Sequence, residues 1–164
     1  MNIGNQTYPN GVRSVLDYLA SKQISFQLQV FDAPAHSASQ AADLLGCPLG
    51  AIVKSLVFEK TDSGHLLLAL VSGKNRADLQ KLSTLACEPV RVADPKIVLS
   101  KTTYPVGAVP PCGLNGISQT LIDTDLMDYA HVWASAGAEN ILFRISTTDL
   151  EQLVEGKIEN IKQE

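Results

Sequence analysis

Two apolar segments joined by a short polar turn set the strongest limit on the fold of this chain. Residues 51–59 and 65–72 are each of strand length, and Thr61-Asp62-Ser63-Gly64 between them has the composition of a tight turn. This pattern predicts an antiparallel hairpin, because parallel neighbours need a much longer crossover connection. A purely parallel, doubly wound sheet is therefore excluded.

Helices and further strands flank the hairpin on both sides. The helices are recognised by polar capping residues followed by apolar positions three and four residues apart. Helices are predicted to begin at Asn10, Ser37, the capping segment Asn75-Arg76-Ala77-Asp78, Asp94 and Thr148, and strands to cover residues 26–30, 90–92, 120–123, 131–134 and 140–145. This order predicts an α+β fold with a mixed, largely antiparallel curved sheet surrounded by helices.

Some details of this prediction concern single residues. Leu79 and Leu82 should both point inward from the helix after Asp78, and the last helix should end at Gly156. The polar residues 157–164 are expected to fray. The length of 164 residues, without repeats or linkers, predicts a single domain over residues 1–164.

Composition and charge narrow the function classes. Apolar residues make up 45% of the chain, but no apolar stretch approaches the roughly 20 residues that cross a bilayer. The N-terminus lacks the pattern of a secretion signal, so we expect a cytoplasmic protein without membrane contact. The net charge of −4 argues against binding to DNA or to long RNA, which requires clustered cations. Any RNA contact should involve a short end or a partner protein.

The three cysteines show no spacing typical of disulfide frameworks or zinc sites. Cys47, Cys87 and Cys112 are scattered, without a C-x-x-C pair. Each is interpreted as a small apolar filler. Cys112 is the one for which another role stays open, because it lies in the most unusual loop of the chain.

Lys54 is the first residue that suggests chemistry. Alternation along the strand places it with Ile52, Leu56 and Phe58 on one face, while Ser55 lies on the other face between valines. A lysine among apolar neighbours can extend its stem to a solvated edge. Alternatively, it projects into a pocket, where its ammonium binds a phosphate or polarises a carbonyl. The strand pattern alone leaves both possibilities open.

The second feature that suggests chemistry is a segment rich in Pro and Gly, residues 104–113. Its prolines stiffen the chain, and Gly107 and Gly113 allow a close backbone approach. Backbone N–H groups held in this way can cradle an oxyanion, although a rigid connector would have the same composition. A third segment, residues 134–139, fits either a hairpin turn or a pocket wall.

The three histidines do not share the spacing of a metal site. His65 and His131 are interpreted as structural, whereas His36 precedes a helix N-terminus and is a stronger site candidate. The chain has no H-E-x-x-H motif, nucleophile elbow, P-loop or dinucleotide fingerprint. We therefore predict neither a metal nor a cofactor.

Taken together, these segments resemble the YbaK/ProX family, whose editing domain is also inserted in bacterial prolyl-tRNA synthetases. The resemblance extends over nearly the whole chain. It is most specific at residues 52–58, which look like the lysine strand of the family, and at residues 107–111, which contain its G-x-x-x-P motif. Residues 37–46, 93–96 and 132–137 add supporting matches in the same order.

The resemblance implies a deacylase that hydrolyses the ester between an amino acid and the terminal ribose of a mischarged tRNA. No metal takes part, and a ribose hydroxyl of the substrate assists. Lys54 would hold a phosphate or the substrate carbonyl, and the N–H groups of Gly107 and Ala108 would orient the carbonyl and the attacking water. The substrate-binding residues implied in this way are His36, Ser37, Ser55, Ala108, Val109, Pro110, Pro111, Ser135 and Gly137.

The implied partner is the acceptor end of an aminoacyl-tRNA, tRNA-Pro or a similar tRNA carrying a small amino acid, with a prolyl-tRNA synthetase or another translation factor as a further candidate. Two departures leave the amino acid open: Gly107-Ala108 stands where many relatives have a glycine pair, and Ser55 replaces the Asn of alanine-specific members. The alternative function is a non-catalytic module that binds aminoacyl-tRNA ends or a synthetase.

Overall fold

The computed structural model describes residues 6–164, and helices and strands are interspersed along them. The helices are α1 (Asn10–Ser21), α2 (Ala38–Leu45), α3 (Leu79–Ala86), α4 (Pro95–Thr102) and α5 (Thr147–Val154). The strands are β1 (Gln27–Val30), β2 (Val53–Lys60), β3 (Leu66–Ser72), β4 (Val90–Val92), β5 (Ile117–Asp123), β6 (His131–Ala138), β7 (Ile141–Ser146) and β8 (Lys157–Glu159). The predicted α+β class is confirmed.

The strands form two sheets. An antiparallel sheet has the order β1-β7-β6, and a mixed sheet has the order β4-β2-β3-β5-β8, in which β3–β5 and β5–β8 are parallel pairs. The predicted β2–β3 hairpin is confirmed, with Val53 opposite Ser72 and Glu59 opposite Leu66. A bridge between Ile52 and Trp133 connects the two sheets.

The central position of strand β3 in its sheet explains why its sequence is apolar without alternation. All seven of its residues are buried. Leu66, Leu68 and Leu70 face the main core between the two sheets, where they pack with α1 and Phe143. Leu67, Ala69 and Val71 instead face a second core under α3. A central strand covered on both faces must be apolar at every position.

Local capping chemistry fixes most helix starts as predicted. The Ser37 hydroxyl accepts a hydrogen bond from the Gln40 N–H (3.0 Å), and the Gln40 side chain accepts one from the His36 N–H (2.8 Å). Asp78 and Asp94 cap α3 and α4.

Two predicted caps were wrong by one or two residues. Asn10 is the first residue of α1 and Pro9 is its cap, without a side-chain hydrogen bond. The α5 cap is Ser146, whose hydroxyl accepts from the Asp149 N–H (3.0 Å), because β7 runs directly into the helix. For α5, Ser146 and Thr148 are both residues that commonly cap helices, so the sequence did not distinguish between these two positions.

Two predictions about apolar residues were also wrong. Leu79 is 44% exposed because it is the first residue of α3, before the helix reaches the sheet, whereas Leu82 is fully buried. The C-terminal residues do not fray: Lys157–Glu159 pairs with β5, and Ile161 is fully buried in the core under α3. Helix α5 ends at Val154, and Glu155 rather than Gly156 adopts the left-handed conformation.

None of the helices in residues 6–164 is long and apolar enough to span a bilayer.

Candidate active site

A cavity of about 540 Å³ lies along the first half of β2. Strand β4 pairs with β2 only at Phe58, Glu59 and Lys60. The Val57 carbonyl on the same edge accepts a hydrogen bond from the Ala93 N–H at 3.1 Å. From Val53 to Leu56, β3 is the only partner strand of β2 in the described part of the chain, so the other edge is open there. Residues from both faces of β2 can therefore line one cavity.

The other walls come from segments distant in sequence. They are the N-terminal turn of α2, the start of α4, the loop after α4 and the β6–β7 hairpin. The predicted site residues that line the cavity are Lys54, Gly107, His36, Ser37, Ser55, Val109 and Ser135. The structure thus brings together candidates spread over about 100 residues of sequence, and the prediction named Lys54 and Gly107 as its centre.

Sequence left open whether Lys54 reaches a solvated edge or projects into a pocket. It is half-buried and lines the cavity, while its Nζ donates a hydrogen bond to the carbonyl of Asn75. Burial lowers the pKa of Lys54, the nearby charge of Arg76 lowers it further, and Asp123 acts in the opposite direction. The ammonium is held at the cavity wall by a backbone contact and carries a cost of desolvation.

A polar network fixes the Asn75 carbonyl that receives Lys54. The Asn75 side chain donates to Asp123 Oδ2 (2.8 Å) and to Asp125 Oδ2 (2.9 Å). Asp123 is fully buried and also accepts from the Ser72 N–H at 3.0 Å. Lys162 Nζ donates to both oxygens of Asp125 at 2.9 Å. The position of Lys54 therefore depends on a network reaching the C-terminal segment.

This network predicts a measurable effect of acid on stability. Hydrogen bonds from Asn75 and Lys162 hold the pKa of Asp125 at about 2, below its ordinary value of 3.8. A depressed carboxylate pKa stabilises the fold above the unfolded pKa and loses that contribution as pH falls through the folded one. We expect Asp125→Asn to lower the thermal midpoint at pH 7, and the difference from wild type to shrink between pH 5 and pH 2.

Thermal unfolding followed by circular dichroism across this pH range measures the effect. Asp17→Asn, at an exposed position of α1, is the matched control and should give a small difference that does not vary with pH. A difference for Asp125→Asn that is equally large at pH 7 and pH 2 would contradict the assignment.

Ser55 is a polar residue in the cavity wall. Its Oγ is the only buried side-chain nitrogen or oxygen in the described residues that has no hydrogen-bond partner. It stands between Val53 and Val57, both buried in the main core. A buried hydroxyl without a partner costs roughly 1–3 kcal/mol.

Gly107 requires its lack of a side chain. Its φ of +93° lies in the left-handed region, and a Cβ at this position would approach Glu139 Oε1 to 2.9 Å. Its N–H has no acceptor among residues 6–164, and Gly107 lines the cavity. The geometry suits a backbone donor that faces a ligand.

The predicted role of the Ala108 N–H was wrong. That group donates to the Pro105 carbonyl at 3.0 Å and closes the turn around Gly107. Ala108, Pro110 and Pro111 are buried behind the loop and are not among the cavity-lining residues, while Val109 reaches the cavity. Ala108, Pro110 and Pro111 therefore shape the loop. Of the two N–H donors expected from sequence, that of Ala108 is already bonded within the turn, and that of Gly107 is not.

Ser135 connects this loop to the β6–β7 hairpin. Its Oγ donates to the Ala108 carbonyl at 3.1 Å and accepts from the Gly137 N–H at 3.1 Å. Gly137 lies outside the cavity lining, and a Cβ on it would come within 3.0 Å of the Gly11 carbonyl and of the Tyr104 ring. Gly137 therefore allows the hairpin to pack closely on α1.

Glu139 was missed as a site residue. Residues 134–139 were open as a pocket wall, and Ser135, Ala138 and Glu139 do line the cavity. The glutamate carboxylate lies beside Gly107, 32 positions away in sequence, and nothing in the local pattern indicates that approach. Val106 and Val92, exposed by 56% and 70%, add an apolar rim.

Two further observations bear on the chemistry of the site. Cys112 is buried, and burial raises the pKa of its thiol to about 12, so it stays protonated at neutral pH and packs as an apolar residue. Within residues 6–164, no cluster of three or more His, Cys, Asp or Glu side chains has the arrangement of a metal site.

Comparisons with known proteins agree with this geometry. The sequence profile of the aminoacyl-tRNA editing domain matches residues 32–153. The uncharacterized protein YwhH of Bacillus subtilis is 25% identical over 128 residues, which cover 78% of this chain and 81% of YwhH. A proline–tRNA ligase of Nitratidesulfovibrio vulgaris is 31% identical over 70% of this chain, which spans only 20% of the ligase.

A solved structure is similar along nearly the whole chain. The crystal structure of a candidate trans-editing enzyme for prolyl-tRNA synthetase superposes with a TM-score of 0.86 at 34% identity. The match covers 96% of this chain and all of the other. This confirms the resemblance predicted from the lysine strand and the Pro-Gly loop, and the chain belongs to the aminoacyl-tRNA editing domain family.

Proposed function

We propose that this protein is a trans-acting deacylase that hydrolyses the ester of a mischarged tRNA, tRNA-Pro or a similar tRNA carrying a small amino acid. The observation that carries this proposal is that Lys54 and Gly107, whose N–H has no acceptor among residues 6–164, line the same cavity within an editing-domain fold. The reaction needs a polarised carbonyl and a positioned water, since an aminoacyl ester is already activated.

In this proposal, the Lys54 ammonium neutralises the negative charge of the substrate. The terminal nucleotide brings a phosphate to the cavity mouth, and the carbonyl oxygen gains charge when water attacks. The N-terminal turn of α2, with Ser37 and Ala38 in the cavity wall, adds the positive end of a helix dipole. His36 stands exposed at the same mouth and contacts the bound nucleotide.

The Gly107 N–H donates to the oxyanion of the tetrahedral intermediate, which collapses by expelling the ribose oxygen. The ribose hydroxyl next to the ester positions the attacking water. These two features, and a reaction without a metal, rest on the family resemblance. Ser55, Val109 and Ser135 contact the aminoacyl group.

Selection in this proposal is by size. The deep part of the cavity is lined by Val53, Val57, Val98 and Leu142, with Ser55 as a hydrogen-bonding group. Apolar contacts distinguish one methylene by only about 1–3 kcal/mol, so exclusion of larger side chains is the effective sieve.

A deacylation assay tests the proposal directly. We expect the protein to release at least one amino acid from a panel of tRNA-Pro charged with alanine, cysteine or serine, and to spare tRNA-Pro charged with proline. The rate should be unchanged by EDTA and should fall when the terminal adenosine lacks the neighbouring hydroxyl. Tight binding of the panel without release of any amino acid would instead indicate a non-catalytic module.

A further inference from the structure

The charges of the cavity wall form a pair of opposite sign. Of the residues that line it, only Lys54 and Glu139 carry a formally charged side chain at neutral pH, apart from the titratable His36. Lys54 is engaged with the Asn75 carbonyl. The Glu139 carboxylate has neither a salt bridge nor a hydrogen bond with any group in residues 6–164. An anion is therefore available at the rim.

The backbone around Glu139 is firmly held. Its carbonyl accepts from the Ala35 N–H at 3.2 Å, and the next residue, Asn140, exchanges backbone and side-chain hydrogen bonds with Phe31 at 2.8 and 3.1 Å. These contacts join the β6–β7 hairpin to the segment before α2. The carboxylate is thus presented from a fixed backbone position.

Gly107 places this carboxylate next to the proposed oxyanion donor. Glu139 Oε1 lies where it would be only 2.9 Å from a Cβ on Gly107, so the carboxylate is beside this glycine at the cavity rim. In an aminoacyl ester, the α-carbon that bears the ammonium is bonded directly to the carbonyl carbon. A carbonyl oxygen at the Gly107 N–H therefore puts the ammonium within reach of Glu139.

We propose that Glu139 binds the α-ammonium group of the substrate, so that the site selects esters of α-amino acids with a free amine. This inference deepens the proposed function and rests on it for the identity of the ligand. The ammonium also neutralises the negative charge of the Glu139 carboxylate beside the developing oxyanion. An uncharged substrate would leave these two negative charges next to each other without compensation.

Two matched probes test this assignment by binding alone. Acceptor-stem minihelices that end in 3′-amino-3′-deoxyadenosine carry either an alanyl or a lactyl amide, which differ only by ammonium and hydroxyl. We expect wild-type protein to bind the alanyl probe at least about tenfold more tightly in calorimetry, as for a charge-assisted hydrogen bond. Glu139→Gln should bind the two probes equally, while Glu151→Gln, exposed on α5, should keep the preference.

The outcomes separate this inference from the proposed function. A preference that persists in Glu139→Gln, or equal or undetectable binding of both probes by wild-type protein, overturns the role of Glu139. An alanyl preference that depends on Glu139 supports it, even in a protein that hydrolyses no ester of the panel, in which case only the proposed function fails.

Discussion

Replacing Lys54 by alanine should lower the single-turnover rate of deacylation by about a hundredfold or more. In the proposed mechanism the ammonium stabilises negative charge that develops during attack, and loss of one such contact typically costs about 3–4 kcal/mol in the transition state. The fold should survive, because the side chain is half-buried and its lost bond is to one backbone carbonyl, worth about 1 kcal/mol. The measurements are hydrolysis of the most reactive ester of the panel and thermal unfolding.

Two controls separate charge from structure. Lys54→Met keeps most of the apolar stem along the cavity and removes the ammonium, so it should be as inactive as Lys54→Ala and more stable. Lys157→Ala removes the same charge at an exposed position of β8, outside the cavity, and should keep full activity. Wild-type rates in Lys54→Met would take Lys54 out of the reaction.

Much of the fold could be predicted from sequence because its signals are local. The turn at residues 61–64 fixed the hairpin, and Ser37, Asp78 and Asp94 mark helix starts through hydrogen bonds to residues two or three positions later. The apolar run of residues 65–72 indicated a strand by its length. Each of these features depends on neighbours within a few residues.

What sequence did not predict depends on distant contacts. Strand β8 is only three residues long, and its parallel pairing with β5 joins residues about 36 positions apart. The open edge of β2 exists because β4 stops pairing at Phe58, and no pattern within β2 indicates this. The engagement of the Ala108 N–H by Pro105 and the approach of Glu139 to Gly107 are likewise properties of the folded loop.

The residues of the candidate site also divide into those marked by a local sequence signal and those that depend on distant contacts. Lys54 stood out because a charge on an apolar strand is locally unusual, and Gly107 because its segment is rich in Pro and Gly. Glu139 did not stand out, since a glutamate in a hairpin is ordinary until the cavity around it is known. Unusual residue types can be found from sequence, whereas ordinary residues in unusual places require the structure.

Gly107→Ala should abolish most of the activity while leaving the protein folded. A side chain at φ +93° costs roughly 1–2 kcal/mol, and the new Cβ would meet the Glu139 carboxylate. The Glu139 side chain can rotate away from the new Cβ, but the strain at a φ of +93° remains. Relief of that strain moves the loop backbone and turns the Gly107 N–H away from the carbonyl. Since removing one oxyanion donor costs about a hundredfold in rate, we expect a loss of that size in single-turnover deacylation.

The matched control is Gly64→Ala in the β2–β3 turn. Gly64 has a φ of +75° and open space around its Cβ position, so it carries a similar backbone penalty at the far end of β2. Both variants should lower the thermal midpoint by a few degrees, as expected for about 1–2 kcal/mol in a domain of this size. Only Gly107→Ala should lose activity. Equal activity in the two variants would show that the loop backbone takes no part in hydrolysis, because both variants place a side chain at a positive φ and only Gly107 lines the cavity.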